Sequence, residues 1–302
     1  MSRCARVAVG LAFWGVVLLG GSAVAQGPAQ PPAASGREVA FDSFDRPGGS
    51  AVVLKAFWFP AAARQAPAVV LLHGCSGPYD RQGRLGERMR AYAALFNGQG
   101  LHALVLDSLT PRGEKELCTQ RIGTRQVTQA NRRLDALAAL HWLAQRPEVD
   151  AQRLGLVGWS NGGSTVLSAT NLRQHDVREA PVRPAFAVAF YPGCEADLRR
   201  GYVPQVPLLL LVGEADDWTP AAPCEALAAQ AVSGNGPAVQ FESYPGAYHG
   251  FDSHAPVRLR KEVPGGVHPG EGVHVGGNPE ALERSQARLL AFIAPWVPLK
   301  RP

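Results

Sequence analysis

The chain has 302 residues, room for one large α/β domain or two small ones, and its 46% hydrophobic content is ample for a sizeable core. A formal charge of +5 is a mild excess at this length and does not mark a nucleic-acid binder. The 33 glycines and 25 prolines point to many tight connections.

The first residues read as a targeting segment. Arg3 and Arg6 form a charged region, Val7 to Leu19 an apolar one, and Ala23-Val24-Ala25 a small-x-small cleavage site. This predicts a secretory signal peptide over residues 1–25, too short in its apolar run to cross a bilayer. Cys4 precedes the apolar run and is not placed for lipidation. Loss of Arg3 and Arg6 takes the formal charge from +5 to +3. "QGPAQPPAAS" from Gln26 predicts a disordered, Pro-rich leader over 26–37, leaving 38–302 as a single domain. Export, to the periplasm, makes the compartment oxidising. Cys75, Cys118, Cys194 and Cys224 then read as two disulfides with three possible pairings. None of the four forms a C-x-x-C pair, so zinc is not expected.

Apolar runs follow in regular order: "SAVVLKAFWFP" from Ser50, "APAVVLLHG" from Ala66, "LHALVLDS" from Leu101, "LGLVGW" from Leu154, "AFAVAFYPG" from Ala185, "VPLLLLVGEAD" from Val206 and "VQFESYPGAYHGF" from Val239. Continuous Val/Leu runs bounded by Gly and Pro fit parallel strands covered on both faces. Helical patterns fill the gaps at Glu87–Asn97, Thr124–Arg146 and Pro223–Val232. A last helix is capped by Asn278, with Pro279 in its first turn and an apolar stripe of Leu282, Leu289, Leu290 and Ile293. The alternation predicts an α/β fold with a mostly parallel central sheet flanked by helices. Residues 253–277 are rich in Gly and Pro and lack periodicity, which predicts a long loop near the mouth of a site or a surface excursion.

Reactive side chains gather at the predicted strand ends, where open parallel sheets bind ligands. In "GWSNGG", Gly158 and Gly162 flank Ser160 as a sharp strand-to-helix bend requires, and such a bend presents the hydroxyl as a nucleophile. A serine needs a base to take its proton, and a carboxylate must orient that base and stabilise the resulting imidazolium. His249 in "YPGAYHGF" is the candidate base. In "GEADDWTP" Asp216 is the favoured acid, with Asp217 the alternative. His268 and His274 near Glu271 match no recognised metal-ligand spacing, and no metal or cofactor is expected.

The order Ser, Asp, His resembles that of α/β-hydrolases, and "HGCSG" (His73 to Gly77) stands where those enzymes supply an oxyanion donor. The backbone N–H groups of Cys75 and Asn161 are the expected donors. With "GRLGERMRAYAALFNGQGLHALVLDS", "VGEADDWTP" and "YPGAYHGFD", these motifs make the stretch His73 to Phe251 similar to the dienelactone hydrolase family. The resemblance implies hydrolysis of esters or lactones of small carboxylic acids, without a cofactor. Two departures agree with each other. The founding members carry cysteine where this chain has Ser160, and a glutamate managing that thiol where it has Gly74. The sheet order usual in α/β-hydrolases places Cys75 and Cys118 after neighbouring strands, and likewise Cys194 and Cys224. It thereby implies the pairs Cys75–Cys118 and Cys194–Cys224. The reading is an exported serine hydrolase of small ester or lactone substrates. It binds no nucleic acid and has no stable membrane span after signal cleavage. Its rivals are a peptidase on the same scaffold and a catalytically silent binding protein.

Overall fold

A computed structural model describes residues 1, 2, 36–232 and 236–297. The signal peptide and nearly all of the Pro-rich leader lie outside the described residues. Contacts divide the chain after Ala33, and the fold below belongs to the unit Ala34–Pro302.

Ten strands and seven helices alternate along the described chain. First come β1 (Arg37–Asp42), β2 (Val53–Phe59), β3 (Ala66–Leu72), α1 (Glu87–Gly98), β4 (His102–Asp107), α2 (Gln129–Ala144) and β5 (Val149–Trp159). There follow α3 (Asn161–Ala169), α4 (His175–Arg178), β6 (Phe186–Phe190), α5 (Glu195–Arg200), β7 (Leu208–Gly213), α6 (Ala221–Val232) and β8 (Val239–Tyr244). The short β9 (Arg258–Arg260) and β10 (Val273–Val275) precede α7 (Pro279–Ile293).

Eight strands form one sheet in the order β1-β2-β4-β3-β5-β6-β7-β8. Within it β2 runs against its neighbours, and β4 through β8 pair in parallel. The strands β3, β4, β6 and β7 are buried at every position, and β5 is buried from Leu154 to Trp159. Successive side chains point to opposite faces, so each strand feeds two cores. Ala68, Val70 and Leu72 of β3 pack with Ala136, Ala139 and Leu140 of α2 and Val166 of α3. Val69 and Leu71 pack instead with Tyr92 and Phe96 of α1 and Leu289 and Phe292 of α7. Each fully buried Val, Leu or Phe contributes about 1.5–3 kcal/mol.

Several boundaries differ from the expectation. β1 begins at Arg37, the last residue given to the leader, because its backbone pairs with Trp58 at the edge of the sheet. With a burial pattern alternating only between exposed and half-buried, β1 carries little apolar signal. α2 starts five residues later than its periodicity suggested. Thr128 caps it reciprocally with Asn131, which satisfies the first free N–H groups there. The excursion 253–277 is not simply a loop: β9 and β10 pair antiparallel, Arg258 opposite Val275.

β3 lies at the centre, with β4 on one side and β5 on the other. The loops leaving β3 and β5 therefore diverge to opposite faces and open a crevice beyond the strand ends, the place where such sheets bind ligands.

Candidate active site

Only Ser160 separates β5 from α3. It holds φ 55° and ψ −118°, a conformation that costs on the order of 1–3 kcal/mol for a residue with a side chain. The bend draws its flanks together. A β-carbon on Gly158 would lie 2.2 Å from the Gly162 carbonyl oxygen, and one on Gly162 only 2.0 Å from that of Leu72. Glycine is required at both places. The Ser160 N–H donates to Phe190 O at 2.9 Å, which anchors the bend to β6.

The three residues expected to act together meet here. His249 Nε2 lies 2.8 Å from Ser160 Oγ, and His249 Nδ1 lies 2.8 Å from Asp216 Oδ2. Tyr191 and Trp218 flank the imidazole, each ring centroid 4.6 Å away, and His249 is 3% exposed. The second oxygen of Asp216 accepts the backbone N–H groups of Trp218 at 2.8 Å and Thr219 at 2.9 Å. Thr219 Oγ1 stands 3.0 Å from Asp216 Oδ2. The carboxylate is thus held rigidly on Nδ1. A proton on Nδ1 leaves Nε2 to accept from the serine hydroxyl. Gly213 makes this approach possible, since a β-carbon there would lie 2.2 Å from Ala247 O in the loop that carries His249. Asp217 faces away and binds His274.

Register sets the other wall. Leu72 of β3 pairs with Gly158 of β5, which places the loop after β3 beside Ser160. A β-carbon on Gly74 would sit 3.5 Å from Ser160 Cβ, in van der Waals contact with the serine. Among the described residues, the backbone N–H groups of Cys75 and Asn161 have no protein acceptor. Asn161 opens α3, whose N-terminal partial charge favours an anion. Cys75 is bonded to Cys118, and Cys194 to Cys224. The first bridge borders the site: Leu117 N–H donates to Cys75 O at 2.7 Å.

A cavity of about 230 Å³ opens over Ser160 and His249, walled by Tyr79, Met89, Trp218, Arg260 and Val275. On the other side of Ser160 a wider cleft runs past Gln129, Thr219 and Val263. The excursion 253–277 therefore supplies wall to both. Val275 also bridges to His249, and Gly276 N–H donates to His249 O at 3.0 Å. Among the described residues no group of three His, Cys, Asp or Glu is placed to hold a metal, and His274 is engaged by Asp217.

Sequence reasoning assigned no role to the carboxylate beneath the site. Buried Asp252 accepts from Tyr191 Oη at 2.6 Å, Trp159 Nε1 at 2.7 Å and Arg88 Nε at 3.2 Å. It ties α1 and the ends of β5 and β6 under Ser160. Burial, the largest influence, opposes the charge on Arg88, but the Asp252 carboxylate together with the phenols of Tyr191 and Tyr92 outweighs it and holds the guanidinium protonated. The only signal was its place three residues after His249. Burial, with the charge of Arg132, keeps the His73 pKa well below its ordinary value. Neutral His73 donates through Nδ1 to Gly74 O at 2.7 Å.

The model of the dienelactone hydrolase family matches residues 54–296. No curated protein matches the sequence. Among solved structures, esterase 2 of Thermogutta terrifontis phosphoramylated by tabun is similar, with TM-score 0.59 and 16% identity over 90% of this chain and 98% of that one. The propionate-bound form of that esterase gives TM-score 0.58 and 18% identity over 90% and 97%. A Klebsiella pneumoniae subsp. pneumoniae protein carrying a dienelactone hydrolase assignment gives TM-score 0.57 and 17% identity over 85% and 99%. At these identities the likeness is one of fold.

Proposed function

Because the chain belongs to the dienelactone hydrolase family, we propose that it is a serine hydrolase of small carboxylic esters or lactones. The observation that carries this reading is the position of His249, with Ser160 Oγ and Asp216 Oδ2 each 2.8 Å from its two ring nitrogens.

Ser160 Oγ attacks the acyl carbon as its proton passes to His249 Nε2, and Asp216 stabilises the imidazolium. The Cys75 and Asn161 N–H groups receive the oxyanion, each donor worth about 3 kcal/mol in the transition state. When the tetrahedral intermediate collapses, the acyl C–O bond to the alcohol breaks and His249 returns the proton to the departing oxygen. An acyl-Ser160 ester remains. Water, deprotonated by the same imidazole, then attacks it and frees the acid. A lactone follows the same steps and yields one ring-opened product. The Thermogutta esterase, whose structures carry propionate in one case and organophosphorus adducts in others, supports small acyl groups as the class and organophosphonates as the probe. The two bridges and the leading segment of the sequence support export to the periplasm.

A fluorophosphonate is expected to label the protein at Ser160, and Ser160→Ala to lose both labelling and p-nitrophenyl acetate hydrolysis while staying folded. Hydrolysis at the parent rate in Ser160→Ala would overturn the proposal.

A further inference from the structure

Arg132 of α2 is 1% exposed. Among the described residues no carboxylate oxygen pairs with it. Asp135 and Asp107 act on it only through space, and Asp135 is engaged by Arg112 at 2.8 Å. Burial lowers its pKa to about 10, against the pull of those carboxylates. Its Nε has no partner among the described residues. An unpaired buried cation weakens a fold compared with an apolar residue of similar volume, so its contacts need a reason beyond packing.

Those contacts are specific. Nη2 donates to the His73 carbonyl at 2.8 Å, and Nη1 donates to Asn161 Oδ1. One planar guanidinium therefore joins the loop after β3 to the first residue of α3. These are the two segments that carry the Cys75 and Asn161 N–H groups, the oxyanion donors of the proposed mechanism, neither of which has a protein acceptor among the described residues. The coupling continues from His73, whose Nδ1–H donates to Gly74 O. That carbonyl belongs to the peptide whose N–H is Cys75's, and a donor on the oxygen orients and polarises that peptide. On the other arm, Gln129, one turn before Arg132, donates to the Asn161 carbonyl at 3.1 Å.

We infer that Arg132 is a positioning residue for the oxyanion hole: it fixes the spacing between the Cys75 and Asn161 N–H groups and lays positive charge behind them. The inference rests on the reading of Ser160 as nucleophile. A rigid fork suits this task where an ammonium would not, because it serves two acceptors in one plane.

The test is the affinity of a trifluoromethyl ketone, which adds the serine oxygen and places an oxyanion between the donors. Arg132→Met is expected to lower kcat for p-nitrophenyl acetate about 10- to 100-fold with little change in KM, and to raise the Ki of the ketone in proportion. Arg132→Lys, which keeps charge but not the fork, should fall between. A merely structural role would reduce the active fraction, measured by fluorophosphonate titration, and leave Ki unchanged. If Arg132→Met does not fold, Asn161→Ala decides. It keeps the backbone donor and the bond to His73 but removes one arm of the bridge, and Ki is expected to rise several-fold. Unchanged Ki in folded Arg132→Met, or in Asn161→Ala, overturns the inference. A parent protein that does not label at Ser160 overturns the reading beneath it instead.

Discussion

Asp217 fastens the excursion 253–277 through His274: its Oδ2 lies 2.7 Å from His274 Nδ1 and its Oδ1 2.8 Å from the His274 N–H. Its own carbonyl accepts Val267 N–H at 2.8 Å. Two adjacent carboxylates thus serve different tasks, because the turn after β7 points Asp216 inward and Asp217 toward the excursion. Asp216→Asn is expected to lower kcat on the order of 10⁴-fold by disfavouring the productive imidazole tautomer. Asp217→Asn should cost less than about tenfold in kcat and instead speed proteolysis between residues 258 and 275. Kinetics and limited digestion of the two variants check this, and the reverse order of damage would move the acid to Asp217.

The bend at Ser160 predicts a steep steric penalty next to a benign control. The β-carbon of Gly162→Ala would meet backbone, 2.0 Å from Leu72 O, which nothing flexible can relieve. A loss of about 3 kcal/mol or more in urea unfolding is expected, with activity falling alongside. Gly98→Ala at the end of α1 meets nothing within 4 Å and is expected to gain about 0.4–1 kcal/mol.

The bridges should separate by consequence. Their cysteines stand 43 and 30 positions apart in the sequence, and closing each loop contributes about 4 kcal/mol. Replacing Cys194 and Cys224 together by Ala is expected to lower Tm with kcat largely kept. Replacing Cys75 and Cys118 should lower both, because Cys75 carries a proposed oxyanion donor and borders the cavity. Equal kcat in the two double variants would refute the distinction.

Stability should decline on the acid side of neutrality. Burial lowers the pKa of both His73 and His102 below the ordinary value, opposed at His102 by its bond to Glu148 O. Between the folded pKa and about 6.5 the unfolded chain binds a proton that the folded one refuses, so stability is full above about 6.5 and is lost as pH falls. Each such group contributes up to about 1.4 kcal/mol per pH unit. His102→Asn keeps an acceptor for the Ala61 N–H, which donates to His102 Nδ1 at 2.7 Å. Urea unfolding at pH 5.5 and 7.5 is expected to show a smaller loss in His102→Asn than in the parent. An equal loss would exclude His102 as a contributor.

What the sequence determined by itself was local or strongly patterned. The runs of β3, β4, β6 and β7, and of β5 from Leu154, are apolar at nearly every position because both sheet faces are covered, so they announce themselves without partners. The bend at Ser160 depends on Gly158 and Gly162, two positions to either side, and is complete within one motif. Ser160 and Asp216 each follow such a strand, His249 follows the half-buried β8, and their order along the chain is visible before any contact is known. Tertiary structure decided what depends on distant partners. β1 is only half-buried, and its strand geometry comes from pairing with β2. β9 and β10 are three residues each, and the contacts of the excursion with Asp217 and His249 place them against the site. The difference between Asp216 and Asp217 is a matter of which way a turn faces. Asp252 reaches Trp159 across 93 residues and Arg132 reaches His73 across 59. A lone charge in a helix or loop reads the same whether it is solvated or buried, and only the packed chain supplies the carbonyl, indole or phenol that gives it a task.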